Sequence, residues 1–180
     1  MERTELVKRI YDASHLVGSF TLRSGATTTE YFDKYQFESD PELLAEVAHH
    51  ALPLVPTEID ALAGLELGGI PVVTALSALS GLPAVFVRKK AKDYGTAKLA
   101  EGHDVAGQRL VVIEDVVTSG GQILDSVTEL RGLGAVIDHA LCVIDRQAGG
   151  SEALHASGVE LRCLFTWAEL TDGANAGATP

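Results

Sequence analysis

Two adjacent carboxylates, Glu114 and Asp115, follow a run of four apolar residues, Leu110-Val111-Val112-Ile113, and precede a turn of small residues, Thr118-Ser119-Gly120-Gly121. Their types divide the labour. Glycines let backbone N–H groups close on an anion, and a helix starting at such a turn adds unsatisfied donors and a favourable dipole. Carboxylates repel that anion, so they suit hydroxyl groups, a cation, or positive charge developing beside them. A phosphorylated sugar asks for both. An acid pair and two glycines alone would equally describe a buried strand ending in solvated acids. The ordered string LVVIEDVVTSGGQ, residues 110–122, is far more specific.

The elements that must position this string are legible around it. Residues 110–113 have the continuous apolar character of a strand buried on both faces. Ile123, Val127 and Leu130 at i, i+4, i+7 predict a helix from 123 to 133, closed by Gly132 and Gly134. Further strands near 59, 85, 138 and 161 alternate with helical segments. That alternation predicts an α/β fold, a central, mostly parallel sheet flanked by helices, with ligands at the carboxyl ends of its strands. Leu6, Ile10 and Tyr11 predict an N-terminal helix over 4–13. Phe20 to Leu22 reads as a short strand entering a turn at Gly25, followed by Tyr31-Phe32. Asp40-Pro41 supplies an N-cap and a first-turn proline for a helix through Leu43, Leu44 and Val47. Ile59 to Gly64 is the first core strand, Pro71 starts the next helix, and Gly81 ends it. Thr166 to Leu170 forms a short helix with Trp167 anchored in the core, and residues 172–180, DGANAGATP, have the composition of a disordered tail.

Composition narrows the function. A chain of 180 residues that is 46% hydrophobic is one domain with a substantial core. The net charge of −11 argues against a nucleic acid or an anionic membrane as partner, and there is no eighteen-residue uncharged apolar span. The start, Met1-Glu2-Arg3-Thr4-Glu5, has no signal-peptide core, so a cytoplasmic protein is expected, and nothing precedes the first helix that would make a DNA-binding domain. Such acidity is compatible with a salt-rich cytoplasm. Cys142 and Cys163 lie far apart in apolar surroundings, which points to core packing rather than a metal or a disulfide; His49 and His50 are adjacent, a spacing that makes no metal site.

Other stretches carry weaker signals. Gly64-Leu65-Glu66-Leu67-Gly68-Gly69-Ile70-Pro71 has the glycine spacing of a P-loop, but Ile70-Pro71 stand where a lysine and a hydroxyl are needed. A glycine-rich strand-to-helix loop still offers amides to a pyrophosphate. Gly132-Leu133-Gly134 follows a helix and lacks a third glycine, which excludes a dinucleotide fingerprint. Arg88, Lys89, Lys90 and Lys92 put four of the 14 basic residues within five positions at a strand end; the run reads as a solvated face or as a lid. Arg146 ends another strand, either solvated or paired with Asp145.

Taken together these motifs resemble a known family. The central string is similar to the phosphoribosyl-pyrophosphate (PRPP) signature of type I phosphoribosyltransferases, and the stretch from Phe20 to Gln147 carries further motifs in the order of the orotate phosphoribosyltransferases. The resemblance implies the type I phosphoribosyltransferase fold as a single domain, with a small hood formed by about residues 1–38 and the chain end. It implies transfer of ribose 5-phosphate from PRPP to N1 of orotate in UMP synthesis. Glu114, Asp115 and Lys92 would be catalytic. Arg88, Lys89, Lys92, Tyr94, Glu114, Asp115, Val116, Val117, Thr118, Ser119, Gly120, Gly121 and Gln122 would bind PRPP, with Gly64, Glu66, Gly68 and Gly69 as the pyrophosphate loop. Arg23, Tyr31, Phe32, Thr118 and Arg146 would bind orotate. Mg²⁺ would be carried by PRPP, with no metal ligand from the protein, and the lid lysines would be shared within a homodimer. The chain departs from the family at Arg23, where many members have lysine, at Tyr94, where histidine is common, and at Gly68, near which some carry lysine. A purine-base phosphoribosyltransferase, a non-catalytic PRPP-sensing regulator and a plain sugar-phosphate binder are the alternatives; Arg23, Tyr31-Phe32 and Arg146 favour orotate, and the basic lid favours turnover.

Overall fold

The computed structural model describes residues 1–21, 25–90 and 98–175, of which 174 and 175 are described as backbone only. In chain order, helix α1 (Arg3–Ser14) leads into an antiparallel hairpin of β1 (His15–Thr21) and β2 (Thr27–Phe32). The short α2 (Tyr35–Ser39) and α3 (Pro41–Ala51) follow, then β3 (Ala61–Leu65), α4 (Gly69–Ser80), β4 (Ala84–Val87) and β5 (Ala100–Gly102). The remaining elements are β6 (Arg109–Val117), α5 (Gly121–Gly132), β7 (Val136–Asp145), α6 (Gly150–Ala156), β8 (Glu160–Thr166) and α7 (Trp167–Asn175). One sheet has the order β5-β4-β3-β6-β7-β8, parallel throughout except for the β4–β5 pair. The β1–β2 hairpin forms a separate sheet.

The buried strand β6 shows why the layers form. Its side chains alternate between two cores. Val111 and Ile113 join Leu6, Ile10, Phe37, Val47 and Leu76, while Leu110 and Val112 join Ile123, Val127, Leu130 and Leu154. Helices α1, α3, α4 and α7 therefore cover one face and α5 and α6 the other, each fully buried aliphatic side chain contributing about 1.5–3 kcal/mol. The helix signals act as their chemistry requires. Asp40 accepts from the N–H groups of Glu42 and Leu43 at 2.9 and 3.1 Å, and Gly81 closes α4 in the left-handed conformation, φ 75°.

Several boundaries differ from the sequence expectation. The first core strand begins at Ala61 rather than Ile59, and α4 begins at Gly69 with Pro71 as its third residue, where the missing proline N–H still falls among donors without an intrahelical partner. Helix α7 continues to Asn175, into the stretch expected to be disordered, because it packs on α1: a Cβ on Gly173 would lie 2.5 Å from Val7 Cγ1. Residues 176–180 lie outside the described residues. The edge strand β5 and helices α2 and α6 are too short to show a period. Cys142 and Cys163 are register partners on β7 and β8 and both are free.

Candidate active site

Strand β6 delivers Glu114 and Asp115 into the protein interior, 5% and 0% exposed, before the chain turns through Thr118–Gly121 into α5. Residues Glu114 and Val116 to Ile123 line a small cavity of about 110 Å³ at the open N-terminus of α5. Gly120 makes the turn with φ 77°, and any Cβ there would sit 3.1 Å from the Gly150 carbonyl at the start of α6.

The loop between β3 and α4 is pressed against the acid pair by its glycines. A Cβ on Gly68 would lie 1.4 Å from Asp115 Oδ2, and one on Gly69 would lie 2.3 Å from the Ile113 carbonyl oxygen. Gln122 ties this loop to the acids, donating from Nε2 to the Glu66 carbonyl at 3.0 Å and to Glu114 Oε2 at 3.1 Å. The Glu66 carboxylate in turn accepts from the Lys89 backbone N–H at 3.0 Å. The central string, the glycine loop and the start of the basic run are thus one hydrogen-bonded unit. Arg88 opens on a cavity of about 270 Å³ shared with Glu66, Leu67, Ile70 and Phe86, its Nε 3.9 Å from Glu101. Lys92 and Tyr94 lie outside the described residues, as does Arg23.

Two residues that the sequence reading did not single out complete the acid cluster. Lys34, at the N-cap of α2, places Nζ 2.5 Å from Asp115 Oδ2. Glu38, one helical turn further, is 5% exposed and lies against the Asp115 carboxylate. Three buried carboxyl groups facing one ammonium cannot all ionise, because the desolvation cost and mutual repulsion exceed what one cation returns. Burial, with hydrogen bonding and repulsion from Asp115, pushes Glu38 up to about 9 and Glu114 up to about 9. Asp115 moves the other way: burial opposes ionisation, but hydrogen bonds from Glu114 and Glu38 and the Lys34 charge outweigh it and hold the carboxyl below its ordinary value. Burial likewise works against the Lys34 ammonium, and its attraction to Asp115 overcomes it. The cluster is thus one carboxylate, one ammonium and two neutral acids. Lys34 and Glu38 stand at i, i+4, the spacing that puts two side chains on one helical face, and that was the available signal.

A third cavity, of about 480 Å³, is lined by Tyr31, Phe32, Arg146 and Trp167 together with Tyr11 of α1, His15, Thr28, Glu30 and Thr171. Arg146 is presented by a tight turn at the end of β7. Its N–H donates to the Val117 carbonyl at 2.8 Å, Asp145 accepts from the Gln147 N–H at 2.8 Å, and Gln147 adopts φ 55°. The guanidinium lies 3.7 Å from the Trp167 ring centre, and burial lowers its pKa. Phe32 meets Trp167 edge-on at 5.1 Å, whereas Tyr31 lies against Phe20 at 5.5 Å. Trp167 packs against the core, as the sequence implied, and from its half-buried position also presents its ring to this cavity. Arg146 is not paired with Asp145, whose carboxylate is taken by the turn.

A family model described as a phosphoribosyl transferase domain matches residues 33–168. An orotate phosphoribosyltransferase from a Nocardioides species is 54% identical over 163 residues, 91% of each chain. One from Halobacterium salinarum is 43% identical over 155 residues, covering 86% of this chain and 88% of that one. Among solved structures, the Mycobacterium tuberculosis orotate phosphoribosyltransferase in complex with PRPP superposes with a TM-score of 0.81 at 30% identity, covering 94% of this chain and 98% of the other.

Proposed function

The chain belongs to the phosphoribosyltransferase family, and on that premise we propose that it transfers ribose 5-phosphate from PRPP to N1 of orotate, giving orotidine 5′-monophosphate and pyrophosphate. The observation that carries the reading is the pairing of two unlike sites at the carboxyl ends of β6 and β7. One combines a phosphate-sized loop with buried acids; the other combines a cationic fork with aromatic faces.

The amides of Thr118 to Gln122 and the N-terminus of α5 hold the 5-phosphate. Glu114 and Asp115 receive the ribose hydroxyls, and the Asp115 carboxylate faces the positive charge that grows at the anomeric carbon as its bond to the diphosphate breaks. The electron pair leaves with pyrophosphate, N1 of orotate bonds to the same carbon, and the N1 proton is lost. Arg146 suits the orotate carboxylate because a planar fork matches a carboxylate and stacks on Trp167. Glu66, Gly68 and Gly69 offer the diphosphate a backbone loop, and Arg88, Lys89 and Lys92 offer it cations.

Mg²⁺ in this reading rides on PRPP. Asp115 is engaged by Lys34 and Glu114 by Gln122, so the acid pair fits hydroxyl recognition better than a metal cage, and the ion's contribution is to neutralise the diphosphate oxygens as they leave. The reading also carries a homodimer in which the basic lid reaches the neighbouring site, and exposed Leu67 and Phe86 beside Arg88 provide an apolar surface for such a contact. Among the described residues no helix is long and apolar enough to cross a membrane, and the cytoplasm is the compartment we assign.

The test is PRPP- and Mg²⁺-dependent loss of orotate absorbance. Turnover with orotate and none with hypoxanthine or adenine is the expected result. Turnover with a purine base and none with orotate would overturn the acceptor.

A further inference from the structure

The mechanism above leaves Lys34 unused and Asp115 obstructed. Asp115 is 0% exposed with Lys34 Nζ against its Oδ2, whereas the lysine side chain is 32% exposed. Ribose hydroxyls therefore reach this carboxylate only when the ammonium gives way. The lysine is built to move: it sits at the N-cap of a five-residue helix and carries its charge on a flexible four-carbon stem. Its destination is set by the glycine loop. The oxygen that Lys34 touches is the one that a Cβ at Gly68 would strike at 1.4 Å, so the ammonium and the loop backbone meet at a single atom. Residues 64–71 contain no basic side chain, so a diphosphate bound on that backbone gains no charge partner from the loop itself.

We propose that Lys34 is an exchangeable counter-ion of the donor site: it caps Asp115 in the free protein and passes to the diphosphate when the ribose hydroxyls take the carboxylate over. Glu38 remains behind, its neutral carboxyl still donating to Asp115. The exchange replaces one anionic partner of Lys34 by a more highly charged one, so it favours a donor that carries both groups. Ribose 5-phosphate has the hydroxyls without the diphosphate and must displace the lysine with no return.

This inference rests on PRPP being the donor, and its test separates the two claims by using binding rather than turnover. Calorimetric titrations of the wild type, Lys34→Met and Lys34→Arg are made with Mg²⁺-PRPP and with ribose 5-phosphate. Lys34→Met should weaken PRPP by about tenfold or more, leave ribose 5-phosphate unchanged or tighter, and Lys34→Arg should recover most of the PRPP affinity. A second readout is the pH profile of kcat/KM for PRPP. Among the described residues the groups facing Asp115 are Lys34, Glu38, Glu114 and the Val116 N–H, and losing the Lys34 charge should move the acid limb to higher pH. Equal weakening of both ligands, as from a structural defect, or unchanged PRPP binding would overturn the proposal. Should Lys34→Met fail to fold, Lys34→Gln carries the same test. A wild type that binds PRPP but leaves orotate untouched would sink the acceptor assignment and not this one.

Discussion

The two halves of the proposed site are built on opposite principles. The donor half is buried, charged and in its centre locally encoded: Glu114, Asp115, the 118–121 turn and the start of α5 lie in thirteen consecutive residues, to which a glycine loop, the basic run from Arg88 and Lys34 with Glu38 are added from elsewhere. The acceptor half is open, aromatic and assembled from four distant places, with Phe32 at the end of β2, Arg146 after β7, Trp167 at the start of α7 and further wall from α1. Chemistry common to every phosphoribosyl transfer can be written in one motif. Choice of base needs a surface that tertiary structure brings together, and it can change without disturbing the motif.

If that contrast is right, the largest effect belongs to the donor half whatever base is offered. Asp115→Asn keeps the shape and removes the one ionised carboxylate, and kcat should fall by about 10²- to 10³-fold, with a lower Tm because Lys34 loses its buried partner. A loss confined to KM for orotate would break the comparison. On the acceptor half, Trp167→Leu removes the face under Arg146 and should raise KM for orotate by about tenfold while leaving PRPP binding intact. Steady-state titration of each substrate separates the two.

The difference also explains what the sequence disclosed. Strand β6, its turn and α5 were legible because burial on both faces, small residues and a 3.6 period each leave a pattern. The N-cap at Asp40 and the stop at Gly81 were legible because one side chain or one φ does the work. Glu38 was not, because a buried acid is tolerated only through its surroundings, and the i, i+4 pair with Lys34 does not say that Asp115, far along the chain, packs against both. Trp167 was legible as a core anchor but not as a site residue, since nothing local says that Arg146, twenty-one residues earlier, lies on its ring. The helix beyond Leu170 was hidden by glycine and alanine, whose composition says disorder until α1 supplies a packing surface.

The smallest predicted effect concerns stability. Glu38, held up to about 9, keeps in the native state a proton that the unfolded chain loses near its ordinary value. Its contribution is full below that ordinary value and drains away as pH climbs to about 9. The wild type should therefore melt at a lower temperature in mild alkali than near neutrality. Glu38→Gln, a permanent neutral donor, should flatten that slope and leave only the share of Glu114, which is shifted the same way. A slope unchanged by Glu38→Gln would show that Glu38 is ionised in the native state.

The most direct measurement of the central claim compares orotate with uracil, the same ring without the carboxylate, in wild type and Arg146→Ala at saturating PRPP. The account predicts that the wild type uses orotate far better than uracil and that Arg146→Ala lowers kcat/KM for orotate until the two bases are nearly equal, a shift of about 10- to 100-fold. An orotate-to-uracil ratio unaffected by the loss of Arg146 would contradict it.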